Sequence, residues 1–289
     1  MNQRSPIIAT GLTDPGMQRQ NNEDAWSGPP PNLTPEQAAA KGYLYIVADG
    51  VGGQQGGEVA SQIAVQVTQQ VYYATPSPDI GACLSAAIQE ANRRIYHQGI
   101  TTAGQYGMST TITAAAIRGN EIILANVGDG RAYLIRNGQA TQLTTDHTWV
   151  EERRQAGVLT DEEAANHPQR NVITRSLGGS LDVIVDVFGP YPLAPGDQIL
   201  LCSDGLSDLV SGPEMAMLTT KSRNPSAAVQ RLVALARQRG APDNVTAVVA
   251  NLETNKHRTK SIPIGVWAML AMLAAVSLVG WMAISGRNA

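Results

Sequence analysis

Phenylalanine is almost missing from this chain: Phe188 is the single copy in 289 residues, and aromatic residues together make up 4%. Any core must therefore be filled by Ala, Val, Ile and Leu, and the 43% hydrophobic content is ample for that. Cysteine is scarce as well. Cys83 and Cys202 both stand in apolar surroundings and give no disulfide framework, so a reducing compartment is expected. There is no basic excess. The formal net charge of -3 argues against the broad cationic face that non-specific nucleic-acid binding needs. Residues 1–11 lack the apolar stretch of a secretory signal. From residue 7 to about 252 no stretch is long enough to act as a linker, and no repeat of solenoid period is present.

Charge is also missing from one long run, 262–284. As a helix it would extend about 34 Å, enough to cross a hydrocarbon core. Trp267 and Trp281 lie near its ends, where interfacial indoles are favoured. Lys256, His257, Arg258 and Lys260 precede it and only Arg287 follows. The expected organisation is one large domain at 1–252, a basic juxtamembrane linker at 253–261, a transmembrane helix at 262–284 and a short tail at 285–289. The charge bias puts the domain in the cytoplasm, tethered to the inner membrane.

Alternating and continuous apolar runs predict strands at 7–11, 43–48, 110–117, 122–127, 132–136, 183–187, 198–202 and 245–250. Turn signals at Gly119-Asn120, Gly128-Asp129-Gly130 and Asn137-Gly138 suggest hairpins and antiparallel pairing. Helical spacing predicts helices at 58–73 and 79–98; Asn224-Pro225 opens another, and Thr160 to Glu163 has the form of a capping box. Strands in runs and helices in pairs point to an α+β fold, antiparallel sheets packed together with helices outside.

Several of these apolar runs end in aspartate: Asp49 in Val-Ala-Asp-Gly, Asp129 in Val-Gly-Asp-Gly, Asp204 in Cys-Ser-Asp-Gly; Asp243 stands just before the last strand and Asp24 near the first. Taken singly, Asp-Gly is an ordinary turn. Brought together, such rims make an all-oxygen cage for Mg²⁺ or Mn²⁺, which points to metal-activated water attacking a phosphate.

Arg19-x-x-x-Glu23-Asp24, Val47-Ala48-Asp49-Gly50-x-Gly52-Gly53, Gly107-x-Ser109-Thr110-Thr111, Val127-Gly128-Asp129-x-Arg131, Ser203-Asp204-Gly205 and Asp243-Asn244-x-Thr246 follow one another in that order. In this order they resemble the metal-dependent protein phosphatases, the type 2C serine/threonine phosphatases, in their bacterial form. The resemblance implies a β-sandwich of two antiparallel sheets flanked by helix pairs. It implies that Asp49 bridges two metal ions, that the Gly50 carbonyl completes one, and that Asp204 and Asp243 hold the other. Glu23 and Asp24 would orient metal-bound waters, Asp129 with Asp204 would match a third, weaker metal, and Arg19 would receive the substrate phosphate. The implied cofactor is Mn²⁺ or Mg²⁺, and the substrates are phosphoserine and phosphothreonine proteins, with a membrane-associated serine/threonine kinase as the opposing partner. A phosphoprotein-binding module without turnover should lack one of these carboxylates or the arginine, and none is missing. A phosphatase confined to one regulatory phosphoserine would share the chemistry.

Two departures accompany the resemblance. Val51 stands where many animal members have a histidine, and Gly130 where members often have serine. His147 and His167 flank the polar segment 148–169, which corresponds to a flap; a surface or capping role is favoured for both over that of general acid. Arg153 and Arg154 in that segment fit a solvated helix face as well as a substrate contact. The glycines around Gly50 lack the ending of a phosphate-binding loop and suit a turn between strand and helix.

Overall fold

In a strand, successive side chains point to opposite faces, so a strand buried on both sides serves two cores at once. Residues 44, 46 and 48 belong to one apolar cluster, while Tyr45 and Val47 belong to another. The computed structural model describes residues 7–51, 56–222 and 224–252. Its strands are β1 (Ile7–Asp14), β2 (Asp24–Ser27), β3 (Tyr43–Val51), β4 (Ser109–Thr110), β5 (Ile112–Arg118), β6 (Glu121–Val127), β7 (Arg131–Arg136), β8 (Gln139–Gln142), β9 (Asp186–Pro192), β10 (Gln198–Cys202) and β11 (Val245–Leu252). Its helices are α1 (Pro35–Lys41), α2 (Gly56–Ala74), α3 (Ile80–Thr101), α4 (Trp149–Gln155), α5 (Asp161–Ala165), α6 (Asp204–Ser207), α7 (Gly212–Thr220) and α8 (Pro225–Gln238).

The strands form two antiparallel sheets, one in the order β1-β11-β10-β7-β8 and the other β2-β3-β5-β6-β9, with β4 added to β3. Three apolar layers hold them. Leu44, Ile46, Ile112 and Ala114 meet Ala64, Leu84 and Ile88 of α2 and α3. Tyr45, Val47 and Leu124 meet Ile199, Leu201 and Val248 between the sheets. Leu200, Val245 and Val249 meet Met215, Leu232 and Val233 of α7 and α8. The result is helix, sheet, sheet, helix, as the resemblance implied. Helix starts follow local chemistry. Asp79 accepts from the Ala82 N–H at 3.0 Å to open α3, Asn224 from the Ala227 N–H at 2.8 Å to open α8, and Thr160 with Glu163 closes a capping box on α5.

Two expectations are corrected. Gly128-Asp129-Gly130 does not turn a hairpin, because β6 and β7 lie in different sheets. Both edges of β6 are taken, by β5 and β9, while β7 pairs with β10 and β8. Gly128, at φ 108°, redirects the chain across the sandwich. The strand expected at 183–187 begins only at Asp186 and continues to Pro192. Val183 and Val185 pack into the α2–α3 layer instead, and the Asn92 side-chain amide donates to the Ser180 and Leu181 carbonyls at 3.0 and 2.9 Å, which ties the preceding segment to α3. Among the described residues no helix is long and apolar enough to cross a membrane. The run 262–284, with 253–261 and 285–289, lies outside the described residues.

Candidate active site

The parity that sends Tyr45 and Val47 between the sheets sends Asp49 there too, at the rim where β3 ends. β2 pairs with β3 in the register Asp24↔Asp49, which sets two carboxylates directly opposite each other across neighbouring strands. β10 stops at Cys202 and the chain turns into α6 at Asp204; Asp243 and Asn244 immediately precede β11. The crossover from β6 to β7 adds Asp129. A cleft of about 610 Å³ is lined by Arg19, Glu23, Asp49, Gly50, Asp129, Asp204 and Asp243. Asp24 does not line it. It lies beneath, buried, with its carboxylate accepting from Ser203 Oγ at 2.8 Å.

Short-range bonds fix the cleft walls. Asn244 is the principal clamp: its side-chain carbonyl accepts from the Glu23 N–H at 2.8 Å, and its amide donates to the Pro15 and Asn21 carbonyls at 3.0 and 2.9 Å. It thereby ties the loop bearing Arg19 and Glu23 to the loop bearing Asp243. Thr110 Oγ1 donates to the Asp49 carbonyl at 2.7 Å, and Thr111 Oγ1 accepts from the Asp49 N–H at 3.2 Å. Gly50 is required by volume: a Cβ there would stand 2.2 Å from the Gly57 carbonyl oxygen and 2.6 Å from that of Glu23. Arg19 Nη2 donates to Asp243 Oδ2 at 2.7 Å across the exposed mouth.

Burial and like charge dominate the electrostatics. Burial, with Asp204 and Asp243 nearby, raises the Asp24 pKa to about 7. Burial, then the charges of Asp204 and Asp146, raises Asp129 to about 8. Asp49 is held well above the ordinary carboxylate range by burial and by Asp24, Asp204 and Asp129, and Asp204 is raised by burial despite its hydrogen bond with Asp49. Asp24 Oδ1 and Asp204 Oδ1 are buried with no hydrogen-bond partner among the described residues. Among the described residues no three acidic, His or Cys side chains are already drawn onto a single point. The donor set nonetheless fits hard divalent cations: it is all oxygen, includes orphaned buried oxygens, and sets like charges opposite each other where an added cation would relieve them. No cysteine or histidine is among the cleft-lining residues.

A family model described as Protein phosphatase 2C matches residues 18–250. The chain belongs to that family. It is 38% identical over 240 residues to the serine/threonine protein phosphatase PstP of Mycobacterium tuberculosis, covering 83% of this chain and 44% of PstP. It thus spans less than half the length of that curated relative. Over 241 residues it is 35% identical to the serine/threonine phosphatase Stp of Listeria innocua, covering 82% of this chain and 92% of Stp. A crystal structure of the PstP catalytic domain in complex with two manganese ions superimposes with a TM-score of 0.71 at 35% identity, covering 86% of this chain and 99% of that one.

Within this type 2C frame, neither histidine reaches the cleft. His147 Nδ1 accepts from the Gly128 N–H at 2.9 Å, which leaves Nε2–H facing Asp186 Oδ2 at 3.1 Å. Its pKa is lowered, chiefly by burial. It braces the crossover that carries Asp129. His167 lies against the Trp149 ring at 4.9 Å and accepts from the Gln169 N–H at 3.1 Å. Arg154 is bound to Glu151 and Asp161, and Arg153 covers the Trp149 ring, so both serve the α4–α5 segment itself. Asn244, Thr111 and Ser203 stand inside the site motifs; a turn-capping role was open to Asn244 from the sequence, and adjacency to Asp243 and Asp204 was the available signal for Asn244 and Ser203.

Proposed function

We propose that this chain is a metal-dependent protein serine/threonine phosphatase whose reaction takes place in the cleft between the two sheets. The observation that carries the reading is the convergence of Glu23, Asp49, Asp129, Asp204 and Asp243 on one cleft, over a buried Asp24, with one arginine at its mouth. Asp49, the Gly50 carbonyl, Asp204 and Asp243 would hold two Mn²⁺ or Mg²⁺ ions; Asp129 with Asp204 is the candidate for a third, and Glu23 and Asp24 support the water around them. When bound, such cations lower the pKa of water and screen the phosphate.

The chain's own residues supply the rest. Arg19 is exposed, and its planar guanidinium can fork onto two phosphate oxygens, offsetting charge that stays high through the transition state. To do so it must leave Asp243, which a cation at Asp243 favours. Asp24, held by Ser203, keeps negative potential beneath Asp49. Val51 offers no acid at the mouth, so protonation of the leaving oxygen falls to water or to a carboxyl of the cluster. The substrates are phosphoproteins, with a serine/threonine kinase as the opposing enzyme. The uncharged run 262–284 supports single-pass tethering, with the basic residues at 256–260 on the cytoplasmic side.

The test is phosphate release from a phosphothreonine peptide and a small phosphate ester with Mn²⁺, with Mg²⁺ and with a chelator, beside Asp204→Asn. Metal-dependent release that Asp204→Asn abolishes is expected. Binding of the phosphopeptide by folded, metal-loaded protein with no release would replace the enzyme by a binding module. Recovery of the full-length chain in the membrane fraction, lost on deleting 262–284, tests the tether.

A further inference from the structure

The end of β3 opposite the cleft holds a second reactive arrangement. Lys41, the last residue of α1, is 6% exposed. Its Nζ donates to the Ser77 carbonyl at 2.6 Å and to Cys83 Sγ at 2.9 Å, and stands 5.7 Å from the centre of the Tyr72 ring. Tyr72 Oη in turn donates to the Lys41 carbonyl at 2.5 Å, which fixes the backbone beneath the side chain. Cys83, on α3, is fully buried. A buried lysine ordinarily has a carboxylate beside it. Among the described residues none pairs with Lys41; its neighbours are a carbonyl, a ring and a thiol. The nitrogen and sulfur lie closer than an unbonded pair would normally rest, yet farther apart than a direct N–S bond, and one oxygen atom fits between them. A groove of about 650 Å³, lined by Lys41, Ser77, Pro78 and Arg118, reaches the lysine, whose Nζ stands 2.9 Å from the buried thiol.

We propose that Lys41 and Cys83 are a covalent modification site, joined through a bridging oxygen as Nζ–O–Sγ on exposure to hydrogen peroxide. Sulfur, the softer nucleophile, takes the first equivalent: the thiol becomes a sulfenic acid and one water leaves. Lys41 gives a proton to solvent, and a second peroxide oxidises the amine to a hydroxylamine with loss of another water. The hydroxylamine oxygen then forms the S–O bond, and the sulfenic hydroxyl leaves as a third water. Sulfur and nitrogen each lose two electrons, and each peroxide gains two. The link joins the end of α1, just before β3, to α3, far from the cleft, so it acts on the stability of the fold more than on the reaction.

The test treats the full chain with hydrogen peroxide under native conditions and follows it by intact and peptide mass spectrometry. A gain of about 14 Da, one oxygen in and two hydrogens out, is expected. It should map to one cross-linked peptide containing Lys41 and Cys83, block tryptic cleavage after Lys41, and reverse with dithiothreitol. Cys83→Ala and Lys41→Met should abolish it. Lys41→Arg retains the positive charge and cannot form the bridge, so it serves as the second variant if Lys41→Met does not fold. Only gains of about 16 or 32 Da at Cys83, persisting in Lys41→Arg, would mark ordinary sulfur oxidation and overturn the proposal. So would a loss of about 2 Da, the mark of a direct S–N bond, or an unchanged mass.

Discussion

Buried carboxylates in this protein occupy two kinds of surroundings. Asp197, 3% exposed, accepts from Arg136 at 2.9 and 2.6 Å and from the Ala194 N–H at 2.6 Å. Asp146 accepts from Arg131 at 2.8 Å and from Gln142 at 2.9 Å. Each has a guanidinium built into the fold. Asp24, Asp49, Asp129 and Asp204 gather at or beneath the cleft and pair with no arginine among the described residues, where Arg19 reaches Asp243. The same residue type is thus structural where the chain supplies its cation and functional where the cation must come from outside.

Neutralising one member on each side breaks the comparison most sharply. Asp204→Asn should lower phosphate release by at least about a hundredfold, the scale of losing one charge-stabilising group. The same change should raise the melting temperature of chelator-treated protein, because it removes one of several like charges. Loss of both activity and metal-free stability would mean that Asp204 is a structural residue. Arg136→Met is the converse. It strands Asp197 and should cost about 1–3 kcal/mol in urea unfolding, towards the lower end because the guanidinium is 40% exposed. Activity per folded molecule should be unchanged.

The pH dependence separates the two kinds without mutation. The folded-state pKa values of Asp24 and Asp129 are raised, to about 7 and about 8. A raised folded-state carboxylate contributes stability that is fully present below its unfolded pKa and is lost as pH climbs through the folded one. Metal-free protein should therefore lose thermal stability between about pH 4 and pH 8. Saturating Mn²⁺ should flatten or reverse that slope at its upper end. A metal-free melting temperature that does not fall over this range would show that the carboxylates are not forced together as the structure has them.

How much of this was legible in the sequence depends on what fixed each element. Strands such as 43–48 and 198–202 are buried on both faces, and their unbroken apolar runs announce them. Asp49, Asp129 and Asp204 were legible because each closes such a run, and Asp243 because it stands just before one. β2 and β8 were missed. Asp24-Ala25-Trp26-Ser27 and Gln139-Ala140-Thr141-Gln142 have too few apolar residues to signal a strand, and they form because β3 and β7 offer them an edge. α1 was hidden by the prolines before it, although Thr34-Pro35 with Gln37 opens it through a capping box. The misread turn at 128–130 is instructive. Gly128-Asp129-Gly130 has the composition of a hairpin, and only the pairing of β6 on both sides forces it to cross between sheets. That crossing is what delivers Asp129 to the cleft.

Gly130 gives the finest test of that crossing. It is not among the glycines with positive φ, so volume alone decides what the position accepts. A Cβ there would stand 2.5 Å from Thr113 Oγ1, which itself donates to Asn126 Oδ1 at 2.7 Å; the Asn126 amide then holds the Gly128 carbonyl at 3.0 Å. Serine, frequent here in the family, should therefore overpack this chain and cost about 1–3 kcal/mol. Thr113→Ala removes the obstructing hydroxyl, so the double variant should be less impaired than the two single changes added together, and a double-mutant cycle reads the coupling. If Gly130→Ser proves neutral, the crossover yields locally and Asp129 is placed by His147 and the flanking strands. If the coupling is found, the Thr113–Asn126 pair sets the position of Asp129, a carboxylate that neither sheet holds in a ladder.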